Sequence, residues 1–131
     1  MINPAPDTQS DSNILNPQAL ERRHLTVLFS DLVGSTALSE ELDPEDLSGV
    51  IDWYHSICRE VIERFGGYVA RYVGDGILAY FGWPQASEND AERTVRAGLE
   101  LVDLISSRLT PEGRRVAVRV AVASGLVVVR T

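Results

Sequence analysis

Two aspartates, Asp31 and Asp75, stand where apolar segments break into glycine-bearing turns. Asp31 ends Leu25-Thr26-Val27-Leu28-Phe29-Ser30 and opens onto Leu32-Val33-Gly34-Ser35-Thr36. Asp75 lies between Gly74 and Gly76, inside Val69-Ala70-Arg71-Tyr72-Val73-Gly74-Asp75-Gly76-Ile77-Leu78. Two carboxylates on neighbouring strand ends can hold divalent cations against a phosphate chain, which points to a nucleotide site. Without cations between them, two such charges would repel. Mg²⁺ or Mn²⁺ suits the pair, because hard ions take oxygen ligands and no His/Cys cluster offers zinc spacing. The stretch after Asp31 adds main-chain N–H groups at a helix start, a cradle for polyphosphate. Gly34 lets the backbone approach closely, and the Ser35 and Thr36 hydroxyls can donate to phosphate oxygens. Either aspartate alone is also what an ordinary strand end or hairpin turn uses. Their joint occurrence, with the Gly-Ser-Thr stretch behind one, favours the cation reading.

The elements that must position these residues follow from periodicity. Residues 24–30 form an apolar run expected to be a buried strand. Ser35 is placed to cap a short helix through Leu42. Asp43-Pro44-Glu45-Asp46 marks a second helix start: Asp43 suits the cap, Pro44 the first helical position and Asp46 the positive end of the dipole. Leu47, Val50, Ile51, Tyr54, Ile57, Cys58, Val61, Ile62 and Phe65 recur at three- and four-residue steps, until Gly66-Gly67 stops the helix. Trp53 and His55 fall off this stripe, and His55 reads as a solvated helix residue, as His24 does at its strand entrance. Residues 67–73 and 77–82 read as a hairpin around Gly74-Asp75-Gly76. A third helix opens at Ser87-Glu88-Asn89-Asp90, with Ala91, Val95, Gly98, Leu101, Val102, Ile105 and Leu109 as its apolar positions. Val116, Val118, Val120 and Val122 alternate as a strand, Ser124-Gly125 reads as a turn, and Leu126–Val129 starts a further strand. The order predicts an α+β, ferredoxin-like split βαβ arrangement (βααββαβ), C-terminally incomplete, with helices on one face of an antiparallel sheet.

Composition bounds what such a fold can do. The 131 residues suit one domain. A net charge of −7 argues against a general nucleic-acid binder, which relies on basic side chains. Cys58 is the only cysteine, so no intrachain disulfide forms; its place on the apolar stripe reads as an inert core thiol. Residues 1–21, with Pro4, Pro6 and Pro17 among polar residues, read as a disordered tail, leaving 22–131 as the folded domain. The tail has no basic start followed by an apolar stretch, and no apolar run reaches bilayer length, so a cytoplasmic protein without a membrane segment is expected.

From Arg23 to Val129 the chain resembles the first part of a class III adenylate/guanylate cyclase catalytic domain of bacterial type. The motifs that carry the likeness are Phe29-Ser30-Asp31-Leu32-Val33-Gly34-Ser35-Thr36, Tyr72-Val73-Gly74-Asp75-Gly76 and Val122-Ala123-Ser124-Gly125-Leu126-Val127. The resemblance implies that Asp31, Asp75 and the Leu32 carbonyl hold two metal ions, with Asp31 and Asp75 the catalytic pair. It implies that Val33, Gly34, Ser35 and Thr36 form the phosphate loop, with Gly74 in the second turn. The implied reaction converts ATP, or GTP, to a 3′,5′-cyclic nucleotide and pyrophosphate for intracellular signalling.

Two departures bear on that expectation. Four residues before Asp75, adenylate-type enzymes usually carry a lysine that reads adenine, whereas this chain has Arg71. Arginine keeps the charge but presents a larger, planar fork. ATP stays favoured over GTP, and Arg71 as a plain surface strand residue stays open. The family also uses an asparagine and an arginine from a later segment, contributed across a head-to-tail dimer. The 131 residues stop before that segment, so the chain alone is expected to be inactive or weakly active. It is expected to pair with itself or with a complete cyclase domain. The alternative is a catalytically silent module of the same fold that binds metal-nucleotide or dimerises. A diguanylate cyclase palm would carry a Gly-Gly-Asp/Glu-Glu-Phe turn, which is absent.

Overall fold

The structure, a computed structural model, describes residues 20–130. The expected tail therefore lies outside the described residues up to position 19, and β1 begins at Leu20. The elements run β1 (Leu20–Leu32), α1 (Ser35–Glu41), α2 (Pro44–Arg64), β2 (Tyr68–Val73), β3 (Gly76–Phe81), α3 (Asp90–Ser107) and β4 (Val118–Arg130). This is the expected βααββαβ order. The sheet order is β2-β3-β1-β4, so β3 separates β1 from β2 and β1 separates β3 from β4: two interleaved split βαβ units. The chain divides into a main unit, Leu25–Gly125, and a small second unit whose described residues are Leu20–His24 and Leu126–Arg130. Every candidate site residue belongs to the main unit.

Within the main unit, alternation along the strands separates two faces. Thr26, Leu28, Ser30 and Leu32 on β1 and Ile77, Ala79 and Phe81 on β3 are buried. Their neighbours Val27, Phe29, Asp31, Leu78 and Tyr80 are only partly covered. The antiparallel register pairs Thr26 with Phe81, Leu28 with Ala79 and Ser30 with Ile77, keeping the buried set on one face. That face packs on Val50, Tyr54, Ile57, Cys58, Val61 and Ile62 of α2 and on Ala97, Leu101 and Ile105 of α3.

The α2 start follows the sequence signal: the Asp43 carboxylate accepts from the Asp46 N–H at 2.9 Å and Pro44 takes the first turn. Other local expectations are corrected. Ser35 does not cap α1; the cap is Gly34 in left-handed conformation (φ 73), and Ser35 is already helical. The hairpin turn is two residues, Gly74-Asp75, with Val73 opposite Gly76 inside the ladder. Ser124-Gly125 is not a turn: β4 continues through it to Arg130. Trp53 packs against the core edge rather than standing clear of it. On α3 the buried set is Thr94, Ala97, Gly98, Leu101 and Ile105, while Val95 and Val102 are exposed. The stripe is offset because Gly98 lets β4 close in: a β-carbon there would meet Val120 Cγ1 at 3.0 Å.

Candidate active site

Asp31 stands on the face of the sheet that α2 and α3 leave open, because it alternates with the core-facing Ser30 and Leu32. Continuing the β1–β3 register one step beyond Ser30–Ile77 sets Asp31 against Gly76, so Asp75 follows immediately in the turn. The two strand ends approach closely at this point. A β-carbon on Gly76 would lie 2.7 Å from the Ser30 carbonyl oxygen and 3.2 Å from that of Val73, so only glycine fits. The topology thus brings together the two aspartates singled out in the sequence. Arg71 shares their face: it pairs with Leu78, which in turn pairs with Phe29, two residues before Asp31.

The β4 side supplies a residue that sequence reasoning passed over. The Val33 N–H donates to the Ala117 carbonyl at 2.9 Å and the Thr26 and Ser124 hydroxyls meet at 2.7 Å. These two contacts run in opposite senses and fit one antiparallel register, which places Arg119 opposite Asp31. The Arg119 Nε donates to Asp31 Oδ1 at 3.3 Å. Asp31 is 34% and Arg119 71% exposed, so solvent screens the pair and its net energy is small. The alternation Val118-Arg119-Val120 was legible, but only the β1–β4 pairing reveals which carboxylate Arg119 meets.

The phosphate-loop expectation needs one adjustment. The Val33 amide is committed to Ala117 and is not free for a ligand. The first-turn amides of α1, at Ser35, Thr36 and Ala37, have no intrahelical acceptor in any α-helix. The chain turns into them at Gly34, and Ser35 is half-buried beside an exposed Thr36.

Beneath the site lies a buried polar cluster. Ser30 and Tyr54 are fully buried, and their hydroxyls meet at 2.8 Å. Burial, together with the adjacent Cys58, pushes the Tyr54 phenol well above its ordinary value. Burial likewise pushes the Cys58 thiol up to about 12, so at neutral pH it is a protonated core residue, as its place on the stripe suggested. His55 is not a freely solvated helix residue. It is half-buried, its Nε2 lies 2.9 Å from the Asp75 carbonyl oxygen, and its ring packs on Tyr72 with centroids 4.4 Å apart. A carbonyl only accepts, so Nε2 carries the proton.

Among the described residues no three His, Cys, Asp or Glu side chains gather into a metal-binding group. The donors available at the site are two carboxylates and main-chain carbonyls, a set that suits a hard divalent ion completing its shell with water and phosphate oxygens. No helix among the described residues is long and apolar enough to cross a membrane.

Comparison with known proteins agrees with this fold. The model of the adenylate and guanylate cyclase catalytic domain matches residues 18–131. The chain is similar to an adenylate cyclase of Anabaena cylindrica, 30% identical over 77 residues, covering 53% of this chain and 15% of that protein. Among solved structures it is similar to the adenylyl cyclase CyaB from P. aeruginosa (TM-score 0.75, 26% identity, 84% of this chain and 60% of that one). It is also similar to the guanylyl cyclase Cya2 (TM-score 0.68, 32% identity, 82% and 57%). The chain spans between 15% and 19% of the length of the first curated relatives it matches. A family model covering all the described residues, together with the shared antiparallel fold, shows that the chain belongs to the adenylate and guanylate cyclase catalytic domain family.

Proposed function

We propose that this chain forms the metal- and phosphate-binding half of a nucleotide cyclase site, acting on ATP in preference to GTP. The carrying observation is that Asp31, on the open face, is set beside the Gly74–Gly76 turn that bears Asp75. In this reading Asp31, Asp75 and the Leu32 carbonyl hold two divalent cations, Mg²⁺ or Mn²⁺. Bound there, such cations activate the ribose 3′-hydroxyl and stabilise charge at the α-phosphate. The first-turn amides of α1 and the Ser35 and Thr36 hydroxyls orient the triphosphate, and Gly34 lets it approach. Gly74, left-handed at φ 59, shapes the second turn. Arg71, exposed on the same face as Asp31, offers its guanidinium donors to the purine edge. A retained positive charge at this position supports ATP, while the structural relatives include both an adenylyl and a guanylyl cyclase.

A cyclic 3′,5′-nucleotide forms when the 3′-oxygen bonds to the α-phosphorus and pyrophosphate leaves. In this reading further groups come from a head-to-tail partner, either a second copy or a complete cyclase domain. The test is incubation with ATP or GTP and Mn²⁺, followed by chromatographic detection of cyclic nucleotide. Where a partner supplies a transition-state donor, these residues alone should give little product, because losing one such donor costs about 10²–10³ in rate. Product should rise when a complete cyclase domain lacking its own metal aspartates is added, and Asp31→Ala should abolish that rise. Failure of both the rise and Mn²⁺–nucleotide binding would overturn the proposal; binding without any rise would favour the silent module.

A further inference from the structure

We infer that the consecutive α2 residues Tyr54 and His55 are positioning residues that brace the two aspartate turns from one rigid helix. The inference rests on the proposed role of Asp31 and Asp75 for its functional meaning, but the bracing itself is independent of it. Successive residues on a helix project about 100° apart, so two neighbours can reach two different strand ends. Tyr54 points into the core and hydrogen-bonds Ser30, the residue immediately before Asp31, at 2.8 Å. His55 reaches past the β2 end and donates from Nε2 to the carbonyl of Asp75 itself at 2.9 Å.

The imidazole is held on more than one side. Its ring packs on Tyr72 at 4.4 Å and on Tyr54 at 5.4 Å. Tyr72 is itself held from α2, because the Arg59 guanidinium hydrogen-bonds its hydroxyl and lies 5.6 Å from its ring centroid. Tyr72 lies opposite the core-facing Ile77, so this contact forms on the helix-covered side while Asp31 and Arg71 occupy the other. Holding the Asp75 carbonyl fixes the Asp75–Gly76 peptide plane, and with it the direction of the Asp75 Cα–Cβ bond. That matters here because Gly74 and Gly76 flank Asp75 and contribute no side chain to hold the turn. Geometry within about 0.5 Å separates a working constellation from a loose one, so a two-residue turn whose aspartate stands between glycines needs such outside support.

The experiment compares wild type, His55→Ala and His55→Gln, whose side-chain amide can donate at similar reach. Backbone ¹⁵N order parameters at Gly74, Asp75 and Gly76 should be near 0.85 in wild type and drop below about 0.6 in His55→Ala. Those of α3 should stay unchanged, and His55→Gln should restore most of the order. Unchanged values in His55→Ala, or equal loss in Ala and Gln variants, would overturn the bracing role. The second readout is Mn²⁺ affinity by electron paramagnetic resonance in the presence of 3′-deoxy-ATP, which lacks the reacting hydroxyl. His55→Ala should weaken Mn²⁺ about three- to tenfold, as expected for one hydrogen bond, with recovery in His55→Gln. A loosened turn with unchanged Mn²⁺ affinity would overturn the link to the cation site. Wild type failing to bind Mn²⁺ while the turn still responds would sink the proposed function and leave the bracing standing.

Discussion

Replacing Gly76 with alanine tests the closest backbone approach in the site. The added β-carbon would sit 2.7 Å from the Ser30 carbonyl oxygen, 3.0 Å from Phe29 Cζ and 3.2 Å from the Val73 carbonyl oxygen. Ordinary contact begins near 3.4 Å, so the Ser30 contact is short by about 0.7 Å. Phe29 can rotate away at small cost, but the two carbonyls belong to the strands on either side of β3. Relief therefore requires β3 to move off β1, beside Asp31 and Asp75. Overpacking of this kind costs about 1–3 kcal/mol, set against a gain of about 0.4–1 kcal/mol from the stiffer unfolded chain. The net loss is about 1–2 kcal/mol, with a melting shift of about 4 °C per kcal/mol in a domain of this size. Gly125→Ala is the matched control: that glycine lies in extended β4 with no atom within 4 Å of the added carbon, so it should be neutral or slightly stabilising. Urea denaturation of the three proteins measures the difference. A Gly76→Ala protein as stable as wild type within about 0.5 kcal/mol would refute the close approach on which the juxtaposition of the aspartates depends.

Further expectations concern the same elements. Tyr54→Phe and Ser30→Ala should each destabilise by about 1–3 kcal/mol by orphaning a buried hydroxyl, and the double variant should lose clearly less than the sum; strict additivity in denaturant titrations would deny the pair. The Cys58 thiol, buried and raised to about 12, should resist iodoacetamide in the native chain and react only after unfolding; fast native labelling in mass spectra would contradict that burial. Burial opposes the Asp90 charge, but the Ser87 amide and hydroxyl and the Arg93 guanidinium overcome it and hold its carboxyl below the usual value. A depressed native value means stabilisation fully present above the unfolded carboxylate value of about 4 and lost as pH falls through the native one. Asp90→Asn should therefore flatten the acid limb of a stability–pH profile, and an unchanged limb would count against this network.

Much of the architecture was legible because it rests on local rules. The α2 stripe follows the helical period, and Asp43-Pro44 is an N-terminal signal whose hydrogen bond the structure shows. Both aspartate turns were readable from glycine chemistry beside apolar runs. What escaped depended on partners distant in sequence. Ser124-Gly125 has turn composition, but β1 offers Thr26 as a partner for Ser124, and ladder pairing prevailed over local preference. Val95 and Val102 looked like core on α3, whereas packing chose Thr94 and Ala97, small side chains that suit the close approach of the sheet at Gly98. His55 read as a solvated helix residue and Arg119 drew no reading, until the fold set one against the Asp75 carbonyl and the other against Asp31.

The alternation of β1 from Thr26 to Leu32 has a consequence for how this chain can change. Ser30, Asp31 and Leu32 serve, in order, the core, the open face and the core again. A one-residue insertion or deletion between Leu25 and Ser30 would reverse that parity, steering a carboxylate toward the core and a core side chain toward the open face. Substitutions in this strand can be graded, but length changes cannot. Variation in length should therefore accumulate outside the strand, such as around Pro111-Glu112-Gly113, where the chain counts no parity.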